Sequence, residues 1–150
     1  MGFNIISFSV TITSIEKGIV SIDAAINPIE VIVTEKEIIL KPIYFEFNKS
    51  DITNKGAAEL DKLVYVMSQN DKLIINVKAH TDNRGSDAYN MYLSDRRAKS
   101  TVQYIISKGV NKDRISGKGF GESEPKIDCK ANCTGEEHAL NRRSEFLIVK

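Results

Sequence analysis

The chain has 150 residues, enough for one domain, or one domain with an appendage, built on a sizeable core. Hydrophobic residues make up 41% and charged residues 27%, ordinary values for a globular protein. The formal net charge of +1 argues against a nucleic-acid partner, which needs a basic excess or stripe. Tryptophan is absent, so no sugar-stacking platform can rest on it. Met1-Gly2-Phe3 lacks the basic start and apolar run of a secretion signal. Ile6 stands where a myristoylation motif needs Ser or Thr, and no run is long enough for a membrane-spanning helix. Two readings remain at this level: a cytoplasmic protein, or a piece of a longer exported chain.

Residues 1–40 read as β-rich, a lead-in or the remnant of a preceding β domain. Ile6, Phe8, Val10 and Ile12 alternate with Ser7, Ser9 and Thr11. Glu16-Lys17-Gly18 reads as a turn, and a second alternating run covers Ile19 to Ala24. Asn27-Pro28 reads as a break. Ile29–Thr34 and Ile38–Leu40 are further strand candidates around the charged turn Glu35-Lys36-Glu37. Lys41-Pro42 marks a boundary, with a second unit expected over 41–150.

That unit opens with an expected strand at Ile43–Phe47 and a loop at Asn48–Asp51. Thr53 is suited to cap a helix whose apolar face is Leu60, Leu63, Val64 and Met67. Leu73, Ile75, Val77 and Ala79 then alternate with Ile74, Asn76, Lys78 and His80, giving a strand; with the one before, it predicts a parallel βαβ unit. After a loop closed by Gly85, a short helical turn over Asp87–Tyr92 is expected. Ser94 then reads as the N-cap of a helix with Ala98, Val102, Ile105 and Ile106 buried and Gly109 as its stop. Arg114–Gly121 predicts a strand softened by glycines, and Arg143–Val149 the closing strand. No internal repeat appears. The class expected is α+β: a mixed four-stranded sheet of βαβαββ type, helices on one face, after the β-rich lead-in.

Asp82 lies just past a strand end, where open α/β sheets place ligands. Arg97 lies about fifteen residues on, in what reads as the first turn of a helix, where the dipole disfavours a cation and a bound anion would offset that. If they converge, they form a pocket for a small zwitterion, Asp82 taking an ammonium and Arg97 forking a carboxylate. The competing reading is a structural ion pair or two solvated charges. Arg96 and Arg97 point about a quarter-turn apart, so one need face the site. Cys129 and Cys133 also leave two readings open. With His138 they offer three metal ligands, without an obvious fourth and at no standard zinc spacing. Alternatively they form a local disulfide, which requires an oxidising compartment.

Four blocks carry a resemblance. Phe45-Glu46-Phe47-Asn48-Lys49-Ser50, His80-Thr81-Asp82 with Arg84-Gly85, Asn90 through Leu93-Ser94-x-x-Arg97-Ala98, and Asn141-Arg142-Arg143 resemble, in order, the OmpA-like C-terminal family of peptidoglycan-binding modules. The match runs from about Ile43 to the end. It implies that Asp82 and Arg97 bind the diaminopimelate of the peptidoglycan stem peptide, which carries an ammonium and a carboxylate on one carbon. Asn48, Asn90 and Arg142 are the further ligand-binding candidates it implies. Glu46 departs from the Asp that many members carry, and Asn48 stands where many have a second Asp. The competing readings are a turn role for Asn48, a loop brace for Asn90 and a solvated charge for Arg142.

The resemblance implies noncovalent binding that ties an envelope protein or the outer membrane to the wall, with no cofactor and no metal. It implies the periplasmic face of the outer membrane, an oxidising compartment in which the disulfide fits, and a membrane connection only through a part upstream of Met1. Enzyme readings are weaker. His80 with Asp82 lacks a third ligand and a nucleophile elbow, so no catalytic residues are assigned and His80 reads as a donor orienting the loop. Gly117–Gly121 is not followed by a helix, as a phosphate loop requires. A structural or assembly module of the same superfamily that does not bind wall is the other alternative.

Overall fold

The computed structural model describes residues 10–14, 19–24, 27–129 and 132–149. The strand start expected at Ile6–Phe8 and the turn at Glu16-Lys17-Gly18 lie outside the described residues. The strands are β1 (Val10–Ser14), β2 (Ile19–Ala24), β3 (Asn27–Val33), β4 (Glu37–Ile39), β5 (Ile74–His80), β6 (Ile115–Gly121) and β7 (Ser144–Val149). The helices are α1 (Asn54–Gln69), α2 (Asp87–Ser107) and α3 (Gly135–Asn141).

The α+β class is as expected, but the sheet is larger than four strands. Among the described residues it has seven, in the order β1-β2-β3-β4-β7-β5-β6. The β-rich lead-in is continuous with the rest, because β4 pairs antiparallel with β7. Among the described residues only β5 and β6, joined through α2, run parallel. Asn27-Pro28 does not break the chain there: both open β3, with Pro28 opposite Asp23. A strand's first residues tolerate the missing N–H.

Ile43–Phe47 is not a strand, so the expected βαβ unit with α1 does not form. The carbonyls of Glu46 and Lys49 instead accept hydrogen bonds from the Arg97 side chain, at 3.3 and 3.0 Å. A tight turn follows, with Lys49 N donating to Glu46 O at 3.0 Å.

Alternation on β5 sorts the sheet's faces. Ile75, Val77 and Ala79 are buried, and so are Leu60, Leu63 and Met67 of α1 and Ala98, Thr101 and Ile105 of α2. Phe146, Ile38, Val31 and Val33 extend this core across β7, β4 and β3. Thr53 caps α1 as expected, its hydroxyl accepting from Gly56 N at 3.0 Å.

Helix α2 starts a full two turns before the expected cap. Ser86 is its N-cap, with Oγ accepting from Tyr89 N at 3.2 Å, and Asp87 suits the dipole in the first turn. Ser94 is an interior residue. Its Oγ donates to Met91 O at 3.1 Å and accepts from Gly121 N at 2.8 Å, riveting α2 to the end of β6. The short helix α3 was not expected. Thr134 and Glu137 form its capping box, the S/T-x-x-E signature.

The glycines of β6 are explained by close approach of α2. A Cβ at Gly119 would collide with the backbone of Ser94 and Asp95, whereas one at Gly135 would meet nothing. Gly119→Ala is therefore expected to lower unfolding stability by about 1–3 kcal/mol. Gly135→Ala should be neutral or slightly stabilising, since alanine orders a helix better. Urea denaturation of both variants measures the difference.

Candidate functional site

Three chain segments meet beyond the ends of β5, β6 and β7. Thr81 N donates to Gly121 O, and His80 N to Arg143 O, each at 2.8 Å. Asp82 follows at once and is buried, at 6% exposure. Its loop turns through Gly85, whose φ of 91° lies in the left-handed region open to glycine. The buried Asn90 of α2 braces that loop. Its amide nitrogen lies within hydrogen-bond distance of Asp82 O (3.3 Å), Arg84 O (3.1 Å) and Glu122 Oε1 (2.9 Å).

Arg97 approaches from the middle of α2, not from its first turn, so the dipole argument does not apply to it. Two backbone carbonyls and an aromatic face hold it instead. Nε and Nη2 donate to Lys49 O and Glu46 O, and the guanidinium lies 4.8 Å from the Phe45 ring centroid. Among the described residues it has no carboxylate partner within ion-pair distance. Burial, helped by Arg142, pulls its pKa below the ordinary arginine value. Arg96 points away, its guanidinium 5.6 Å from the Tyr92 ring.

Asp82 and Arg97 do not pair with each other. Both line one open cavity of about 420 Å³. Asn48, Asn90 and Arg142 line it too, so the structure gathers all five sequence-nominated residues there. Asn48 sits at φ 60° in the turn after Phe47, with its Oδ1 accepting from Tyr89 Oη at 2.5 Å. Arg142 donates from Nη1 to Asp82 Oδ2 at 2.7 Å. Arg143 is occupied elsewhere, by Glu145 at 3.2 Å and Glu124 O at 2.9 Å. Glu46 contributes its carbonyl, while its carboxylate lies 3.6 Å from Lys49 Nζ, largely in solvent.

Sequence reasoning missed the strongest contact in the site. Arg84 N and Nε donate to Asp82 Oδ1 at 3.0 and 3.1 Å, and Nη2 to Oδ2 at 2.8 Å. An arginine two residues after the acid, in one loop, was the available signal. Burial by itself pushes the Asp82 carboxyl up; the bonds from Arg84 and Arg142 outweigh that and hold it well below the usual carboxylate range.

His80 does not serve Asp82. Its Nε2 lies 3.2 Å from Glu145 Oε1 and its ring stacks on Phe120 at 5.7 Å. Burial and then Arg143 lower its pKa, against an opposing pull from Glu145. Cys129 and Cys133 form a disulfide, Cα atoms 5.2 Å apart. His138 lies close by, but the bond leaves no thiolate to ligate a metal. The buried Asn141 accepts from Lys126 N and Ile127 N at 2.8 and 2.9 Å, tying this loop to the start of β7 and hence to Arg142.

The OmpA family model matches residues 44–142, which include Asn48, Asp82, Asn90, Arg97 and Arg142 of the cavity wall. The chain belongs to the OmpA family. It is 47% identical over 85 residues to outer membrane protein A of Escherichia fergusonii, covering 55% of this chain and 35% of that one. It is 38% identical over 104 residues to outer membrane porin F of Pseudomonas aeruginosa, covering 69% of this chain and 29% of the porin. The chain thus spans only about a third of the length of these curated relatives. The fold matches the peptidoglycan-associated lipoprotein of Burkholderia pseudomallei with a TM-score of 0.64 at 22% identity, over 73% of this chain and 91% of that one.

Because the folded pKa of Asp82 is depressed, its contribution to stability is full above the unfolded pKa of about 3.9 and is lost as pH falls from there. Asp82→Asn is expected to lower stability at pH 7 by about 1–3 kcal/mol, from the loss of charged hydrogen bonds. The gap to the wild type should narrow steadily below about pH 4, as denaturant titrations at both pH values will measure.

Proposed function

We propose that this chain binds peptidoglycan noncovalently, through the diaminopimelate of the stem peptide. One observation carries the reading: a buried carboxylate and a guanidinium that has no carboxylate partner among the described residues line the same cavity instead of neutralising each other. Diaminopimelate presents an ammonium and a carboxylate on one carbon. The ammonium would bond Asp82, and the carboxylate would be forked by Arg97 with Arg142 beside it. Asn48 forms the wall opposite the Asp82 loop through its turn, and Asn90 keeps that loop in place. The relatives support the ligand class, since the Burkholderia protein is named for its association with peptidoglycan and the Escherichia protein for the outer membrane.

The binding unit is residues 41–150, which contain the family match, with residues 1–40 as a β-rich lead-in. The setting is the periplasmic face of the outer membrane, where the module ties an envelope protein to the wall. That compartment is oxidising, in keeping with the Cys129–Cys133 bond. No bond is broken in this reading. His80 is bonded to Glu145 rather than to the acid at the cavity, so the pair needed for a hydrolase is not assembled.

Co-sedimentation with purified diaminopimelate-type peptidoglycan tests the proposal. The wild type should sediment, and free diaminopimelate should compete. Asp82→Ala and Arg97→Ala should each weaken binding by about 2–5 kcal/mol, the cost of leaving one partner of a buried charged contact unpaired. Failure of the wild type to sediment, with the fold intact, would leave a structural or assembly module in its place.

A further inference from the structure

A carboxylate offers about four lone-pair sites, two on each oxygen. At Asp82 the protein itself fills all four. Oδ1 accepts from the N–H and Nε of Arg84, and Oδ2 from Nη2 of Arg84 and Nη1 of Arg142. An incoming ammonium therefore finds no free acceptor position on the group meant to receive it. Of the occupants, the Arg84 side chain is the one free to leave. It is 61% exposed, against 37% for Arg142, so more of it already lies in solvent. Its backbone is fixed independently: Asn90 holds the Arg84 carbonyl, and the Arg84 N–H stays on Oδ1 whatever the side chain does.

We propose that Arg84 is a specificity latch: its guanidinium occupies the ammonium position of the empty pocket and swings into solvent when a zwitterionic ligand displaces it. The proposal rests on the reading of the cavity as an ammonium-and-carboxylate site. Displacement opens one side-chain fork and leaves the loop in place. Its cost is limited because the exposed guanidinium is rehydrated as it leaves, while the incoming ammonium takes over its donor positions on the buried carboxylate. The cost is not zero, and it falls on every ligand that uses Asp82. A ligand with an adjacent carboxylate recovers it at Arg97. A bare amine recovers nothing and also meets the positive surroundings of Arg84, Arg97 and Arg142. The displacement cost is common to both ligands; the Arg84 charge, which repels a bare amine more than a net-neutral zwitterion, adds a repulsive element beside the attractive fork of Arg97.

Calorimetric titration of the wild-type chain, Arg84→Ala and Arg84→Lys with two probes, meso-diaminopimelate and cadaverine, tests this. Cadaverine has the same five-carbon spacing between amines and no carboxylate. The wild type should bind diaminopimelate and not cadaverine. Arg84→Ala should bind diaminopimelate about three- to tenfold more tightly and gain measurable cadaverine binding, both lost again on adding Asp82→Asn. Arg84→Lys, which keeps the charge but not the fork, should fall between. A residue that merely supports the loop would weaken binding when removed. Equal or weaker diaminopimelate binding by Arg84→Ala overturns the latch and leaves the reading of the cavity intact. Gain of cadaverine binding by Arg84→Ala, with no diaminopimelate binding by either protein, overturns that reading and the zwitterion-specific latch with it. No binding of either probe to any of the proteins overturns both.

Discussion

A buried carboxylate must be given donors or it will not stay ionised. Asp82 is placed where three strand ends and the start of α2 meet, and donors reach it from two of those directions. Its own loop supplies the Arg84 fork, and the segment before β7 supplies Arg142. Much of the surrounding structure keeps these parts in register. Asn90 braces the loop from α2. Asn141, the residue before Arg142, bonds both backbone groups of Ile127, just ahead of the disulfide. Ser94 fastens α2 to β6, at a distance only glycine at position 119 allows.

Arg97 is the complementary half. Backbone carbonyls and an aromatic face hold it, and these neutralise no charge. A cation fixed this way keeps its attraction for an anion that arrives later, whereas one held by a carboxylate would have spent it. The turn at Phe47–Lys49 therefore serves two purposes: it anchors Arg97 and forms a wall of the cavity.

Period-two alternation made β5 legible in the sequence, and with it the position of Asp82 at a strand end. The apolar spacing of α1 and its Thr53 cap were legible for the same local reason. The start of α2 was not. Ser86 and Ser94 both carry the capping side chain, and only the contact of Ser94 with Gly121 separates them. Ile43–Phe47 has strand composition, but its carbonyls belong to an arginine about fifty residues away, which no local pattern encodes. Where the lead-in is described, the alternating runs form strands, while their junction with β7 depends on pairing across most of the chain. The pocket's acid and base were visible as residue types. The arginine that sits on the acid was visible too, yet nothing in its spacing says which way its side chain turns.

In the proposed complex, Asp82 and Arg97 grip one small zwitterion from two sides of a single cavity. The most direct measurement is a nitrogen–proton chemical-shift map, side-chain guanidinium signals included, during addition of free diaminopimelate. The structure predicts shifts gathered on Thr81–Gly85, Asn90, Arg97 and Arg142, with the open face of the sheet around Asn76 and Ser116 unmoved. Shifts centred elsewhere, or movement at Asp82 with none at Arg97, would contradict it.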